Sequence, residues 1–149
     1  MKRSSLLLAT LLFVFACAPI APQATPDGSG KNEPLENTYW KLTLLGNASM
    51  RTAPNQQEAH FMLHSAERRV SGSGGCNRLT GGYQLEGDKL TFGRMASTMM
   101  ACVGGMVSEQ RFLTVLQETR KAKVTRQQLE LLDASGRVMA QFEAVQVKK

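Results

Sequence analysis

The sequence predicts a mostly-β, α+β domain, an antiparallel sheet of about eight short strands curved around or packed against one helix. Three observations predict it. Short runs alternate apolar and polar residues with a period of two. One run alone carries the helical period. Helices do not alternate with strands, which removes a doubly wound parallel sheet. The chain has 149 residues, 42% hydrophobic and 20% charged. That suits one globular domain and excludes a disordered chain or a multi-span membrane protein.

The N-terminus reads as an address. Met1-Lys2-Arg3 is a positive start, and Leu6 to Phe15 is apolar apart from Thr10. This run is shorter than the ~20 apolar residues that span a bilayer, so residues 1–16 read as a secretory signal. It ends Val14-Phe15-Ala16-Cys17. Residues 17–35 carry Pro19, Pro22, Pro26 and Pro34, four of the five prolines, and read as a tether.

The domain is expected over residues 36–147. Trp40, Leu42 and Leu44 alternate with Lys41 and Thr43, the pattern of a first strand. Ala59, Phe61 and Leu63 alternate with His60, Met62 and His64 in a second. A third, over 70–73, runs into Gly74 and Gly75. Runs at 83–86 and 89–92 flank Gly87-Asp88, a hairpin turn. The helix is expected over 106–119, with Phe112, Leu113, Val115 and Leu116 as its apolar face. Glu109, Arg111, Gln117 and Glu118 are its polar residues, with Gly105 or Ser108 as its cap. Three last strands follow at 123–125, 129–132 and 138–144, the last with Val138, Ala140 and Phe142 on one side.

Several motifs in order resemble a known family. They are Tyr39-Trp40, then Gly74-Gly75-Cys76-Asn77, then Thr98-Met99-Met100-Ala101-Cys102, then the helix with Glu109 and Phe112-Leu113. Together they resemble the META domain of HslJ-like bacterial lipoproteins, with Trp40, Gly75, Asn77, Thr98, Met100 and Ala101 at the motif positions. The resemblance implies a cracked antiparallel β-barrel with one helix, similar to a secretin pilot lipoprotein. It also implies a role in heat-shock or envelope-stress response and novobiocin tolerance, without an accepted enzymatic reaction. The segment ending at Cys17 resembles a lipobox, which implies lipidation of Cys17. Ala18 after it implies the outer membrane, with the domain on its periplasmic face.

Cys76 and Cys102 remain once Cys17 is lipidated. An even pair in an exported domain reads as a disulfide; a redox role lacks the C-x-x-C spacing. Met95, Met99, Met100 and Met106 crowd the sequence around Cys102. They read as adaptable core or pocket-lining residues, with a Cu(I) site as the sharper alternative. Met95, Met99 and Met100 are also the candidate rim for binding. His60 and His64 stand too far apart on a strand, ~13 Å, to share an ion. The Ser71-to-Gly75 run lacks the lysine and helix of a phosphate loop, so it reads as a bend, with Asn77 satisfying backbone groups there. Arg120, Lys121, Lys123 and Arg126 read as a solvated face, or as a contact for anionic headgroups.

No nucleophile–base set converges by spacing, and no nucleic-acid motif is present. The expectation is a non-enzymatic, cofactor-free envelope lipoprotein that binds a protein or lipid, the membrane being reached through the anchor. A pilot-like chaperone of a secretin is the alternative, followed by a small hydrolase or copper carrier. The anchor has a direct check. Globomycin should make the precursor accumulate, and Cys17→Ser should leave an uncleaved or soluble product; normal maturation under the drug sinks the lipobox reading.

Overall fold

Side chains alternate across a strand, so the period-2 runs each offer one apolar face, and the chain buries these faces by rolling the sheet into a ring. The computed structural model describes residues 30–52, 56–102 and 105–146. The signal and Cys17 lie outside the described residues. The strands are β1 (Tyr39–Leu45), β2 (Ala48–Ser49), β3 (His60–His64), β4 (Arg69–Ser73), β5 (Arg78–Glu86), β6 (Lys89–Phe92), β7 (Ala96–Ser97), β8 (Lys121–Thr125), β9 (Gln128–Leu132) and β10 (Val138–Val145). The helix α1 (Met106–Glu118) sits between β7 and β8.

The sheet order is β10-β9-β8-β6-β5-β4-β3-β1, and β1 pairs back with β10, which closes an antiparallel barrel of eight strands. The expected barrel with one helix is therefore what the chain forms. The two-residue strands β2 and β7 attach to β1 and β5 outside this ring, and nothing in the sequence pattern announced them. The thinnest contact in the ring is between β6 and β8, paired at Lys89 and Lys121 only. Around that pair Leu90 N donates to Arg120 O (3.1 Å) and Ala122 N to Asp88 O (2.9 Å).

Because neighbouring strands are antiparallel, the barrel has two distinct ends. The upper end, toward which β1 runs, carries the β4–β5 turn, the β9–β10 turn and both ends of α1. The lower end carries the β3–β4, β5–β6 and β8–β9 turns. The chain enters at the lower end: Glu33 N donates to Arg126 O (2.8 Å), and Arg126 N donates to Asn32 Oδ1 (2.7 Å). α1 covers the upper mouth, driving Phe112 and Leu116 into the core.

Trp40, Phe61, Leu63, Leu90, Leu129, Leu131 and Phe142 fill the interior. Phe61 meets Phe142 edge-on at 5.0 Å and Phe92 at 5.8 Å. Trp40 Nε1 donates to Leu35 O (2.9 Å), so the one polar atom of this buried ring is satisfied. Deleting a buried ring of this size typically costs ~3–5 kcal/mol, against a total stability of ~5–15 kcal/mol for a domain.

Two expectations of alternation fail, both at β-bulges. Leu45, not Leu44, is buried in β1, because the register against β10 slips between Leu42 and Leu44. Val138 is exposed and Met139 buried, because the register against β9 slips between Val138 and Ala140. A bulge adds one residue and re-aims the side chains beyond it. Of the two expected helix caps, Gly105 is the one used. Gly105 occupies the N-cap with no side-chain cap bond, and Ser108 Oγ instead donates to Gly105 O (2.9 Å).

The outer face is laced with polar contacts. Tyr39 stacks on His60 at 4.3 Å and donates its hydroxyl to Glu58 Oε1 (2.9 Å). Tyr83 donates to Glu36 Oε1. Burial, then the hydrogen bond and negative charge of the partner carboxylate, raise both phenols: Tyr83 to about 12 and Tyr39 further still. These are the only two tyrosines in the chain. The folded state holds both phenolic protons more tightly than the unfolded state, whose tyrosines ionise at ~10. Stability is therefore fully present below pH ~10 and is lost as pH rises from there through the folded values. In a phenolate absorbance titration, the native protein should show no ionisation at pH ~10 and half-titration of Tyr83 near 12. An ordinary tyrosine curve from a still-folded protein contradicts the two carboxylate bonds.

Candidate functional site, the disulfide-tied rim

The β4–β5 turn, residues 74–77, is built from glycine where side chains have no room. Gly75 has φ +105°, a region that favours glycine. A Cβ at Gly74 would lie 2.9 Å from Glu109 Cδ. The turn can therefore press against the first turns of α1. Gly74 N donates to Asn77 O (2.9 Å), and Gly75 N to Ser73 Oγ (3.1 Å).

Glu109 organises this contact from the helix side. It is 7% exposed. Its Oε2 accepts from Asn77 N (2.6 Å) and Cys76 N (3.3 Å), and its Oε1 accepts from Asn77 Nδ2 (2.8 Å). The sequence reading placed Glu109 on the polar face of the helix; the structure places it inside. Asn77 carries the connection outward. Its Oδ1 accepts from Met100 N (2.7 Å) and Thr98 Oγ1 (2.8 Å), and its Nδ2 also donates to Met100 O (3.3 Å). Thr98 Oγ1 in turn accepts from Arg78 N (3.1 Å), while Thr98 N donates to Arg78 O (3.1 Å).

Cys76 and Cys102 are joined as a disulfide. They enclose a separation of 26 residues, for which loop-closure entropy gives ~3 kcal/mol. Helix, turn and the segment from Thr98 to Cys102 are thus tied at one place by one covalent bond and a connected set of hydrogen bonds. The motif residues Gly75, Asn77, Thr98 and Met100 converge here, and Ala101 lies exposed in the same segment. Trp40 does not converge; it belongs to the barrel core.

The methionines divide. Met99 is 98% and Met100 60% exposed, although the Met100 backbone is pinned by Asn77. Met106 and Val107, at the start of α1, are also exposed. Met95 is turned inward: it packs against the core, with its sulfur over Gly81. The expected rim of Met95, Met99 and Met100 is thereby corrected to Met99 and Met100, and three of the four methionines are surface rather than core residues. With both thiols in the disulfide, the segment has no thiolate to offer Cu(I). His60 and His64 lie on β3, where His60 Nδ1 contacts Glu58 O (2.9 Å) and His64 Nε2 contacts Ser71 Oγ (2.7 Å). Among the described residues, no three His, Cys, Asp or Glu side chains group together as metal ligands.

The basic run is largely paired. Lys121 meets Asp88 (3.5 Å), Lys123 meets Glu130 (3.7 Å), and Arg120 donates to the Gln117 and Thr119 carbonyls. Beside the rim, a shallow groove of about 540 Å³ runs over Gly72 and Leu79 between His60, Arg78 and Ser97. It shares Arg78 and Thr98 with the rim.

These features define a helix-capped antiparallel β-barrel whose upper rim is held by a disulfide and a buried Glu–Asn pair. The META domain family model matches residues 33–146, so the chain belongs to the META domain family. In three dimensions it is similar to a protein from Burkholderia xenovorans determined by NMR, with a TM-score of 0.63 and 24% identity over 87% of this chain and 100% of that one. A second NMR structure has a TM-score of 0.58 and 21% identity over 73% of this chain and 90% of that one. At these identities both show the fold alone. No curated protein matches the chain.

The buried pair has a measurable weight. Glu109→Gln would place an amide NH₂ against one of its donors, while Asn77 cannot turn over without losing Met100 and Thr98. The expected loss is ~1–3 kcal/mol in urea denaturation, with the disulfide still formed. Gly74→Ala should lose a similar amount by displacing the Glu109 carboxyl group. Unchanged midpoints for both variants would show that the pair does not hold the rim.

Proposed function

We propose that this META domain is a non-catalytic, lipid-anchored envelope module that binds a protein or lipid partner through its upper rim. Family membership associates the chain with the bacterial envelope. The signal and lipobox-like segment ending at Cys17 support an outer-membrane anchor with the domain on the periplasmic face. One observation carries the binding reading: Met99 and Met100 present flexible apolar side chains to solvent from a backbone that is already fixed. Exposed methionine side chains leave apolar surface in water, and a prefixed segment loses little further freedom on binding. Envelope maintenance under stress is the cellular setting that the family resemblance favours.

The test uses full-length protein in its native envelope. Met99→Ser with Met100→Ser should keep the fold and the disulfide, because exposed positions contribute little to stability. It should weaken recovery of the main co-purifying partner by about tenfold or more, the equivalent of ~1.4 kcal/mol or more of lost apolar burial. Recovery of a secretin as that partner would favour a pilot role. A folded double variant that retains its partner moves the contact surface elsewhere.

A further inference from the structure

We infer that the rim takes an acidic, amphipathic polypeptide rather than the membrane surface; this rests on the reading of Met99 and Met100 as a contact surface. The first observation is the distribution of unpaired cations. Among the described residues, the salt bridges use Lys41, Arg68, Lys121, Lys123 and Arg137. None of these pairs involves Arg51, Arg78 or Arg111, exposed at the upper end, nor Lys31, Lys89 or Arg126, exposed at the lower end; only the upper three stand beside the disulfide-tied rim. Arg78 is bonded through its backbone to Thr98, next to Met99. Arg111 lies one helical turn beyond Val107, on the same side of α1, with its guanidinium over Gly46. Arg51 lines a cleft with Gly74, Gly75 and Ser108, on the other flank of the disulfide turn.

The chemistry that fits follows from this arrangement. Apolar side chains and unpaired guanidinium groups share this end of the barrel, Arg78 bonded to the residue before Met99 and Arg111 one turn from Val107. Guanidinium is suited to carboxylates, which it can bind through two parallel hydrogen bonds. Of the acids nearby, Glu109 is turned inward and occupied by Asn77 and Cys76, and Glu58, in the cleft that Arg51 lines, is taken by Lys41 and Tyr39. A partner segment with apolar residues on one face and Asp or Glu beside them would satisfy both components.

The second observation selects the kind of partner. The chain enters the barrel at its lower end, where Asn32 and Glu33 dock on Arg126. A Cys17 anchor therefore joins the domain at the end opposite the methionines. The rim is thus the end farther from the attachment of the tether, which leaves it open to a polypeptide partner.

The experiment places photoreactive p-benzoylphenylalanine at position 99 of the full-length protein in its own envelope. The expected adduct is with a polypeptide whose crosslinked stretch has more Asp and Glu than Lys and Arg, and apolar side chains among them. Arg78→Glu with Arg111→Glu should reduce its yield by about tenfold or more, because like charges then face each other. Arg126→Glu at the lower end should leave it unchanged. If charge reversal disturbs folding, judged by disulfide formation, Arg78→Gln with Arg111→Gln should still lower the yield by about threefold. A lipid adduct, a basic crosslinked stretch, or a yield indifferent to Arg78 and Arg111 overturns the acidic-polypeptide inference while leaving the methionine contact standing. No adduct at position 99 overturns both.

Discussion

The rim depends on one buried acid. Glu109 sits on α1, yet its hydrogen bonds go to the β4–β5 turn, and the residue it holds there, Asn77, holds the segment after β7. The β4–β5 turn is therefore fixed by two side chains to the helix and to the segment just before it, more than twenty residues further along the chain. Each donor in this set has an acceptor, which matters because an unmet polar atom at this depth costs ~1–3 kcal/mol. The disulfide lies beside the same contact and limits the unfolded chain rather than replacing the hydrogen bonds. Glycine at position 74 is the sequence's concession to this contact, since a side chain there would occupy the acid's place.

Much of the barrel was legible because its strands are short and half-buried. In that setting the period-2 pattern reports burial directly, and Phe61, Leu63 and Phe142 were all readable as inward residues. The bulges in β1 and β10 were not legible. Thr43 and Met139 are ordinary strand residues, and the extra residue appears only when the partner strand is laid alongside. The short strands β2 and β7 carry too few residues for any period to register. The ring closure was hidden for a different reason: it joins β1 to β10, the most distant strands in sequence.

The site was partly legible. The Cys76–Cys102 pairing and the backbone-satisfying role of Asn77 could be read from residue type and place. Glu109 was misread by its chemistry, although its spacing told the truth. It precedes Phe112 by three positions and Leu116 by seven, which puts it on the apolar stripe. Its polarity outweighed that periodicity in the sequence reading, as an acid on a buried face is uncommon. For the methionines the sequence left core and binding rim both open, and the structure separates them, with Met95 against the core and Met99 and Met100 on the rim. An apolar run beside a cysteine is compatible with a core, but the Met100 backbone is taken by Asn77, and Met99 is held between it and Thr98, which bonds the same side chain.

The weak join between β6 and β8 has a bearing on the whole ring. A closed barrel normally resists distortion because every strand is gripped on both edges. Here one junction is held by a single residue pair, whereas β1 and β10 are zipped along their length. Strain entering from the helix, which leads directly into β8, meets that junction first. The barrel is thus mechanically closer to a clasped bracelet than to a welded hoop, with the clasp beside the helix and the stiff band, β1 against β10, elsewhere on its circumference.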